Sequence, residues 1–586
     1  LLSSVTLNID LAKGLKLRTR VGNDFTSINT EAKSYNEYPI AFNTTSSTGS
    51  YGVTKNRYAI VYTDLLATYA NDQTKVFGYS ISGGFQSRQE SFTDQTSSTS
   101  GGLVTANWFS LNNSYNSQTT SEVRSKLLKY AFLGIANFSY KSYLFLEGTA
   151  RQEKSSTLPI NNNSYFYPSV NSSFIFTDAF EMPKWLSYGK IRASYGMVGN
   201  APPPYESNIV YTQKPLSTTT GSVPVLTAQN AYGNENLKSE KKTEMEFGLE
   251  TKMLQNRVGV DISVYNSKVK DLLMRLSTAA SNGALTRITN VGELNSKGLE
   301  IAFNANPLKR PKTNWNTRLN FAFNNSKVVS LADGVNQIVF KGGDANSVEI
   351  VAEKGQTIGN IYMYPLATDD KGNKLVNSSG MYYVDKSRYE KAGNILPKVV
   401  GGWSNTFSYK ALTLDLTIDY RFGGEILSMP QKYGTNAGMF QSTMKYRDEA
   451  NGGLPYYVNE QGVATRLPSH NSVSPYGKVY HDGIILPGKK DSDGSENDKI
   501  IEAANYYLTV YDASSNGYNG PAVIRNNYIK FREAVLSYNL SRGTAQKLHM
   551  QNIRISLIGR NLFYFYRTLK NIDPEAPVGQ SWLNQV

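Results

Sequence analysis

Side chains able to carry acid–base, nucleophilic or metal chemistry are few and scattered in this chain. It contains no cysteine, which excludes disulfides and thiolate metal sites. The three histidines, His470, His481 and His549, have no spacing typical of metal ligands, and we expect each to be a loop or turn residue. Serine is abundant, but no Gly-x-Ser-x-Gly elbow lies on a strand-to-helix turn. We therefore expect no enzymatic activity.

One acidic segment has the residue types that bind a hard cation. Asp491, Asp493, Glu496 and Asp498 lie close together beside a glycine, as carboxylates do in calcium loops. The full EF-hand pattern is absent. We expect a solvated acidic turn, with a Ca²⁺ site in an extracellular loop as the alternative, and no other cofactor.

Most of the remaining polar side chains lie on long segments with period-two alternation. Four such segments follow one another between Lys241 and Asn324, and each has an apolar and a polar face. A soluble antiparallel sandwich alternates in the same way, but its strands are typically about five or six residues long. These segments run to about ten residues or more, which is the length that a tilted strand needs to cross a bilayer.

The connections between the strands also alternate in length. We expect about sixteen strands, with long polar loops between the short turns. The longest connections are Ser326–Lys398 and Ile426–Asn526. The short turns are expected at Lys13, Asp72, Lys141, Gln255, Pro307 and Lys410. This pattern predicts an all-β fold, a transmembrane antiparallel β-barrel with long extracellular loops and short periplasmic turns.

A barrel assigns a side to each strand residue. We expect the apolar positions of the alternating segments to face lipid and the polar positions to line the lumen. The lumen positions include Asp261, Asp415 and Asp419, together with the cluster Lys16, Arg18 and Arg20 and the cluster Glu244, Glu246 and Glu250. The lipid-facing positions include Val258, Val260, Ile262, Leu412, Leu414 and Leu416.

The net charge of +14 would suggest a nucleic acid partner in a compact soluble protein. The basic residues are instead dispersed over strands and loops and form no stripe. We therefore expect the protein to lie in a lipid bilayer and not to bind nucleic acid.

Several stretches of the chain have the character of family motifs. One is the segment from Glu235 to Glu250. The others are LSYGKIRASYGMVGN (Leu186–Asn200), NVGELNSKGLEIAFN (Asn290–Asn304), GGWSNTFSYKALTLDLTIDYRFGGEI (Gly401–Ile426), YIKFREAVLSYNL (Tyr528–Leu540), NIRISLIGRNLF (Asn552–Phe563) and NIDPEAP (Asn571–Pro577). Together, and in the expected order, they resemble the SusC/RagA family of TonB-dependent outer-membrane transporters of Bacteroidota.

This resemblance implies a barrel of about 22 strands with a plugged lumen, of which residues 1–586 form the barrel domain. The plug, the N-terminal extension and the last strand are expected to lie outside this sequence. The implied function is active import of oligosaccharides or oligopeptides through the outer membrane. The implied partners are a SusD-like lipoprotein on the extracellular face and the TonB complex, reached through the N-terminal region. A passive porin, or a surface β-protein that only binds ligands, is the alternative function.

Aromatic residues in the longest loop are candidates for substrate binding. Tyr433, Phe440, Tyr456 and Tyr457 offer flat platforms for a sugar ring beside adaptable hydrogen-bonding groups. The alternative is that these rings pack the loop against its neighbours or its partner. The substrate itself is not identified by the sequence.

Overall fold

The computed structural model describes residues 1–36, 48–71, 76–208, 211–218, 221–228, 231–277, 281, 284–343, 347–511 and 517–575. The predicted turn at Asp72 and the end of the NIDPEAP motif lie outside these residues.

The architecture is a 16-stranded antiparallel sheet in which each strand pairs with its neighbours in the chain, so the predicted strand number is confirmed. The strands are β1 (Leu2–Ala12), β2 (Leu15–Ser34), β3 (Ser50–Ala70), β4 (Phe77–Leu103), β5 (Ser114–Tyr140), β6 (Leu144–Ser155), β7 (Ser164–Ile175), β8 (Leu186–Asn200), β9 (Glu240–Met253), β10 (Val258–Lys270), β11 (Glu293–Arg310), β12 (Thr313–Ser330), β13 (Val399–Tyr409), β14 (Leu412–Phe422), β15 (Tyr528–Asn539) and β16 (Arg554–Arg567).

The helices are short, and they lie in connections. They are α1 (Phe176–Ala179), α2 (Met429–Asn436), α3 (Ala503–Val510) and α4 (Arg542–Lys547). Within the described ranges, none is both long enough and apolar enough to span a bilayer.

Further short strands lie in the long connections. Those before β12 are Tyr211–Thr218, Gly221–Ala228, Ala231–Tyr232, Leu273–Ser277 and Thr286–Asn290. Those between β12 and β13 are Gln337–Gly343, Val348–Glu353, Asn360–Met363, Leu375–Val376 and Glu390–Asn394. Those between β14 and β15 are Glu425–Leu427, Leu454–Val458, Ala464–Arg466, Tyr480–Ile484, Lys489–Lys490, Ile501–Glu502 and Val523–Arg525.

The contacts divide the chain into two compact units. The first consists of Leu1–Met182, Gly189–Gly248 and Ser267–Glu293, and the second of Pro183–Tyr188, Leu249–Asn266 and Leu294–Val586.

Short turns occur where the sequence predicted them at four of the positions that the structure describes. The turn residue Gly14 has a φ of +80°, and Lys141, Gln255 and Lys410 also adopt left-handed backbone, which lets the chain reverse within a few residues. The turn predicted at Pro307 is wrong, because β11 continues to Arg310 and the chain reverses at Pro311 and Lys312. Beside Pro307, the Asn306 N–H donates to the Arg257 carbonyl.

Strands β2 to β5 extend far beyond the segments predicted for them. The Ser/Thr/Asn-rich stretches around residues 89–125, expected to be loops, continue the ladder in register, with Thr96 paired to Thr54 and to Ser121. The Thr54 and Thr96 hydroxyls lie 3.1 Å apart and form a hydrogen bond. Both faces of this extension are polar, so it shows no apolar period although threonine favours strands.

The two longest connections are folded and contain short strands and helices of their own. Together they form one body with its own apolar cores, here called the extracellular body (residues 331–398 and 423–527). The larger core joins Val376 and Val384 of the first connection to Ile484, Ile501 and Val510 of the second. Leu375–Val376 also pairs in parallel with Lys489–Lys490.

Polar contacts reinforce the extracellular body. The Tyr382 hydroxyl donates to the Pro487 carbonyl at 2.6 Å, and the Asn519 amide donates to Ser347 Oγ at 2.7 Å. The Asn394 N–H donates to Glu425 Oε2 at 2.9 Å. Burial raises the pKa of Tyr382 to about 12, so this hydroxyl remains a hydrogen-bond donor at neutral pH.

The segment that follows β16 folds back onto β15. Glu575 accepts hydrogen bonds from Tyr528 at 2.9 Å, from Lys530 at 2.6 Å and from Arg532 at 2.8 Å. The Lys530 side chain is only 4% exposed. One carboxylate thus contacts a buried ammonium and a guanidinium at the same time, and Asp419 supplies a second carboxylate to Arg532.

Candidate functional site

The strands of the second unit have the predicted apolar face. Trp315, Phe407, Leu414, Leu536 and Leu557 are successive cross-strand partners on β12 to β16, and partners in register share a face. Leu557 is 74% exposed in this isolated chain. A continuous apolar row with such exposed members is costly in water, so this face lies against lipid.

The opposite face of these strands is polar, as predicted for Asp415 and Asp419. Asp415 accepts a hydrogen bond of 2.6 Å from the Thr406 hydroxyl, which is its cross-strand partner. Asp419 forms an ion pair with Arg532. These charged side chains line the lumen, and the predicted alternation along β14 is confirmed.

In the first unit, a cluster of charged side chains lines a cavity of about 730 Å³ on the polar face of the strands. We call it the charged ledge. Arg20, Asp64 and Gln86 are successive cross-strand partners on β2, β3 and β4, so they share one face. The other members of the charged ledge are Tyr62, Arg88, Glu90, Lys129, Arg151 and Glu153.

The charged ledge is held by paired charges. Arg20 Nε donates to Asp64 Oδ2 at 2.7 Å, and Asp64 is only 6% exposed. Arg151 binds both Glu153 and Gln86, with Nη2 donating to Glu153 at 2.7 Å. Buried carboxylates are retained when guanidinium groups satisfy them, and the remaining N–H groups can bind a further acceptor.

A second cavity of the first unit, of about 710 Å³, is lined by polar groups of β4 to β9. Asn171 donates to Glu147 at 2.9 Å, and Arg192 Nε lies 3.6 Å from Glu246 Oε1. The Arg192 side chain crosses Gly248, where a Cβ would lie 2.4 Å from Arg192 Nε. The predicted lumen position of Glu246 therefore agrees with its place in a polar cavity.

The four aromatic residues predicted to bind substrate differ from one another in how exposed their rings are. Tyr456 is 4% exposed and stacks on Tyr480 at 5.1 Å, so its ring has no free face for a ligand. Phe440 packs over Gly434, where a Cβ would lie 2.5 Å from its ring. Tyr457 stacks on Tyr476 at 5.6 Å. Tyr433 on α2 is 48% exposed, and Lys432 Nζ lies 5.9 Å from the centroid of its ring.

The carboxylates of the acidic segment turn towards lysines and do not converge on one point. Glu496 pairs with Lys489, and Asp498 lies 2.7 Å from Lys490. Asp493 accepts the Ser495 N–H in a local turn, and hydrogen bonds from Ser495 lower the pKa of Asp493. In the part of the chain that the structure describes, no group of three or more His, Asp or Glu side chains is placed to hold a metal ion. The ion pairs with lysines and the local hydrogen bonds are typical of a solvated acidic turn, and the alternative of a Ca²⁺ site stays a prediction.

Two of the three histidines meet in the extracellular body, which their spacing did not indicate. His470 Nδ1 and His481 Nδ1 lie 2.9 Å apart, and the rings stack with their centroids 5.1 Å apart. His481 is on the strand Tyr480–Ile484, and the loop carrying His470 folds across it. Only the tertiary fold of the second connection reveals this pair.

Comparison with known sequences identifies the fold. Residues 3–432 match the family described as "TonB dependent receptor-like, beta-barrel". The chain belongs to this family. It is therefore an outer-membrane β-barrel, which agrees with the lipid-facing rows described above.

Two relatives of this chain come from Bacteroidota. TonB-dependent receptor P3 of Formosa agariphila is 25% identical over 475 residues, which cover 76% of this chain and 41% of that protein. TonB-dependent receptor SusC of Bacteroides thetaiotaomicron is 27% identical over 304 residues, which cover 48% of this chain and 30% of that protein. The resemblance to SusC/RagA proteins is confirmed, and the chain spans less than half the length of these curated relatives.

Among solved structures, the RagAB peptide transporter has a TM-score of 0.72 with 17% identity and covers 98% of this chain and 58% of that chain. The RagAB peptide importer in its "open-open" state has a TM-score of 0.70 with 18% identity and covers 95% of this chain and 56% of that chain. At this identity, the likeness demonstrates a shared fold.

Proposed function

We propose that this chain forms the barrel of an energised importer that takes up oligosaccharides or oligopeptides through the outer membrane. In this proposal a SusD-like lipoprotein covers its extracellular side, and the TonB complex supplies energy through an N-terminal region. The match of residues 3–432 to TonB-dependent receptors and the RagA-like fold support it.

The extracellular body is the observation that carries this proposal. A passive porin needs only loops long enough to join its strands, whereas here two connections share an apolar core that includes Val376 and Ile484. A folded body at the mouth supplies a rigid platform for a partner protein and for substrate capture.

The charged ledge supports a polar cargo or a polar plug inside the lumen. Arg20, Arg88 and Arg151 supply guanidinium donors, while the paired carboxylates Asp64 and Glu153 prevent a strongly cationic surface. Such a surface binds hydroxyl, carbonyl and charged end groups by hydrogen bonds rather than by apolar contact. Sugars and peptides both present these groups.

Tyr433 and Tyr457 remain the proposed aromatic contacts of a substrate. Tyr433 is 48% exposed, and Tyr457 stacks on Tyr476. An exposed tyrosine on α2 can stack on a sugar ring or a peptide side chain at low conformational cost.

We expect purification from native membranes in mild detergent to recover one lipoprotein for each barrel. Around α2 and α3, Met439 is 77% and Leu508 54% exposed, and the Asn436 side chain donates to the Leu508 carbonyl. We expect Leu508→Asp to reduce the recovered lipoprotein roughly thirtyfold, because truncating or charging an apolar anchor costs about 2 kcal/mol.

The matched control is Val463→Asp, which places the same charge on an exposed residue immediately before the short strand Ala464–Arg466 of the same body. It should leave the recovery unchanged. Isolation of the intact barrel without a stoichiometric lipoprotein would contradict the lid arrangement.

A further inference from the structure

A cavity of about 790 Å³ in the second unit has an excess of positive charge. Lys297, Lys391, Lys398 and Arg525 line it against a single carboxylate, Glu425. We call it the basic groove. Within the described ranges, the three lysine side chains form no ion pair, and all three are exposed.

The one carboxylate of the basic groove is already occupied. Glu425 Oε2 accepts the Asn394 N–H at 2.9 Å, and Glu425 Oε1 lies 3.8 Å from Arg525 Nε. The Arg525 side chain is still 70% exposed, so its other N–H groups can bind a ligand. The basic groove therefore has a free capacity for anions.

The alternation of β11 and β12 places the basic groove at the edge of the lipid-facing surface. Phe321, Gly401 and Tyr420 are cross-strand partners, two positions further along the same face as Leu319, Trp403 and Ile418. The Phe321 ring lies 6.5 Å from that of Phe323 and 5.7 Å from that of Tyr420. These rings form an aromatic belt at the extracellular end of the strands, the level at which lipid headgroups begin.

Two residues connect this belt to the basic groove. Phe323 and Leu299 are among the residues that line the basic groove. Lys297 lies two residues before Leu299 on β11, so it is on the same outward face but one step closer to the extracellular end. The groove thus has an apolar wall continuous with the membrane-facing surface and a cationic wall immediately above it.

We propose that the basic groove binds the phosphate-bearing headgroup of an anionic glycolipid of the outer leaflet. Ammonium and guanidinium groups form charge-assisted hydrogen bonds with phosphate oxygens, and the acyl chains lie along Leu299 and Phe323. The combination of an apolar wall and unpaired cations fits an amphipathic anion better than a free one. This inference depends on the outer-membrane location and is independent of the transported substrate.

Lipopolysaccharide binding to the protein purified in mild detergent tests this proposal, with native mass spectrometry used to count the retained lipid. The test variant combines Lys297→Gln, Lys391→Gln and Arg525→Gln. We expect at least a tenfold loss of retained lipopolysaccharide, since each cation near an anionic lipid surface contributes roughly fivefold. Lipopolysaccharide whose phosphates have been removed should bind the unmodified protein as weakly.

The matched control combines Lys354→Gln, Lys371→Gln and Arg466→Gln, three exposed cations of the extracellular body. It changes the net charge equally and should retain the lipid. Thermal unfolding of both variants checks that neither loses its fold. Equal retention by the two variants would overturn the proposal, and so would displacement of lipopolysaccharide by millimolar inorganic phosphate, which would assign the groove to a soluble anion.

Discussion

Glu575→Ala is expected to lower the free energy of unfolding by about 3 kcal/mol, a large effect for one residue in the segment after the last strand. The carboxylate accepts hydrogen bonds from Tyr528, Lys530 and Arg532 of β15. Its removal leaves the Lys530 ammonium buried without an anion, and an unpaired buried charge costs several kcal/mol. Thermal and chaotrope unfolding of the purified barrel measure the loss.

The matched control for this prediction is Glu533→Ala on β15, the strand that carries Lys530 and Arg532. Glu533 accepts a hydrogen bond of 2.8 Å from Arg560, whose side chain is exposed. Such an exposed pair contributes less than about 1 kcal/mol. Equal destabilisation by the two substitutions would show that the Glu575 cluster has no special role.

The same cluster predicts that the stability of the folded barrel depends on pH. Hydrogen bonds from Arg532 are the main cause that lowers the pKa of Glu575 to about 2 from its usual value of 4.5. Because the folded-state pKa is depressed, the stabilisation is complete above about pH 4.5 and is lost as the pH falls from there towards pH 2. The difference in unfolding temperature between the unmodified protein and Glu575→Gln should therefore be constant at neutral pH and shrink below pH 4.5. A difference that persists at pH 2 would contradict the assignment.

The second large effect is expected on the lipid-facing side of β14. Leu416 lies near the middle of this strand, two positions from Leu414 and Ile418 on the same face. A lysine at the bilayer midplane on the lipid face costs roughly 2–4 kcal/mol. We expect Leu416→Lys to reduce the amount of folded barrel in the outer membrane severalfold, measured by heat-modifiable migration of membrane extracts on gels.

The neighbouring residue supplies a control at the same depth. Thr417 points to the opposite face, where its cross-strand partners are Ser404 and Glu533. Thr417→Lys places the same charge in the lumen, beside a carboxylate, and should leave the amount of folded barrel close to normal. Equal losses for both variants would mean that the faces of β14 have been assigned incorrectly.

The strands that cross the membrane were predictable from sequence because one physical rule governs them. Leu412, Leu414 and Leu416 face lipid and Asp415 does not. Apolar and polar residues therefore alternate along the strand with a period of two. The same rule fails outside the bilayer. Around Thr54 and Thr96 both faces of the ladder are polar, so the sequence shows no apolar period and predicts loops there.

The candidate site was less predictable because its contacts are long-range. The pairing of Arg20 with Asp64 follows from the register of β2 and β3, which the sequence does not specify residue by residue. The meeting of His470 with His481, and the burial of Tyr456, depend on how the two long connections pack together. Residue type alone marked Tyr456 as a platform, whereas packing against Tyr480 makes it part of a core.

Uptake by cells is the measurement that tests the proposed import most directly. Cells carrying the full-length protein are given labelled oligosaccharides and oligopeptides, and surface binding and internal accumulation are followed before and after the proton-motive force is collapsed. In the proposed importer a plug blocks a barrel of about 22 strands that would otherwise be wide enough to leak, so uptake requires energised movement of that plug. The proposal predicts that accumulation stops while surface binding continues. Unchanged accumulation after the collapse, together with ion currents through the purified barrel in planar bilayers, would contradict energised import and identify a passive porin.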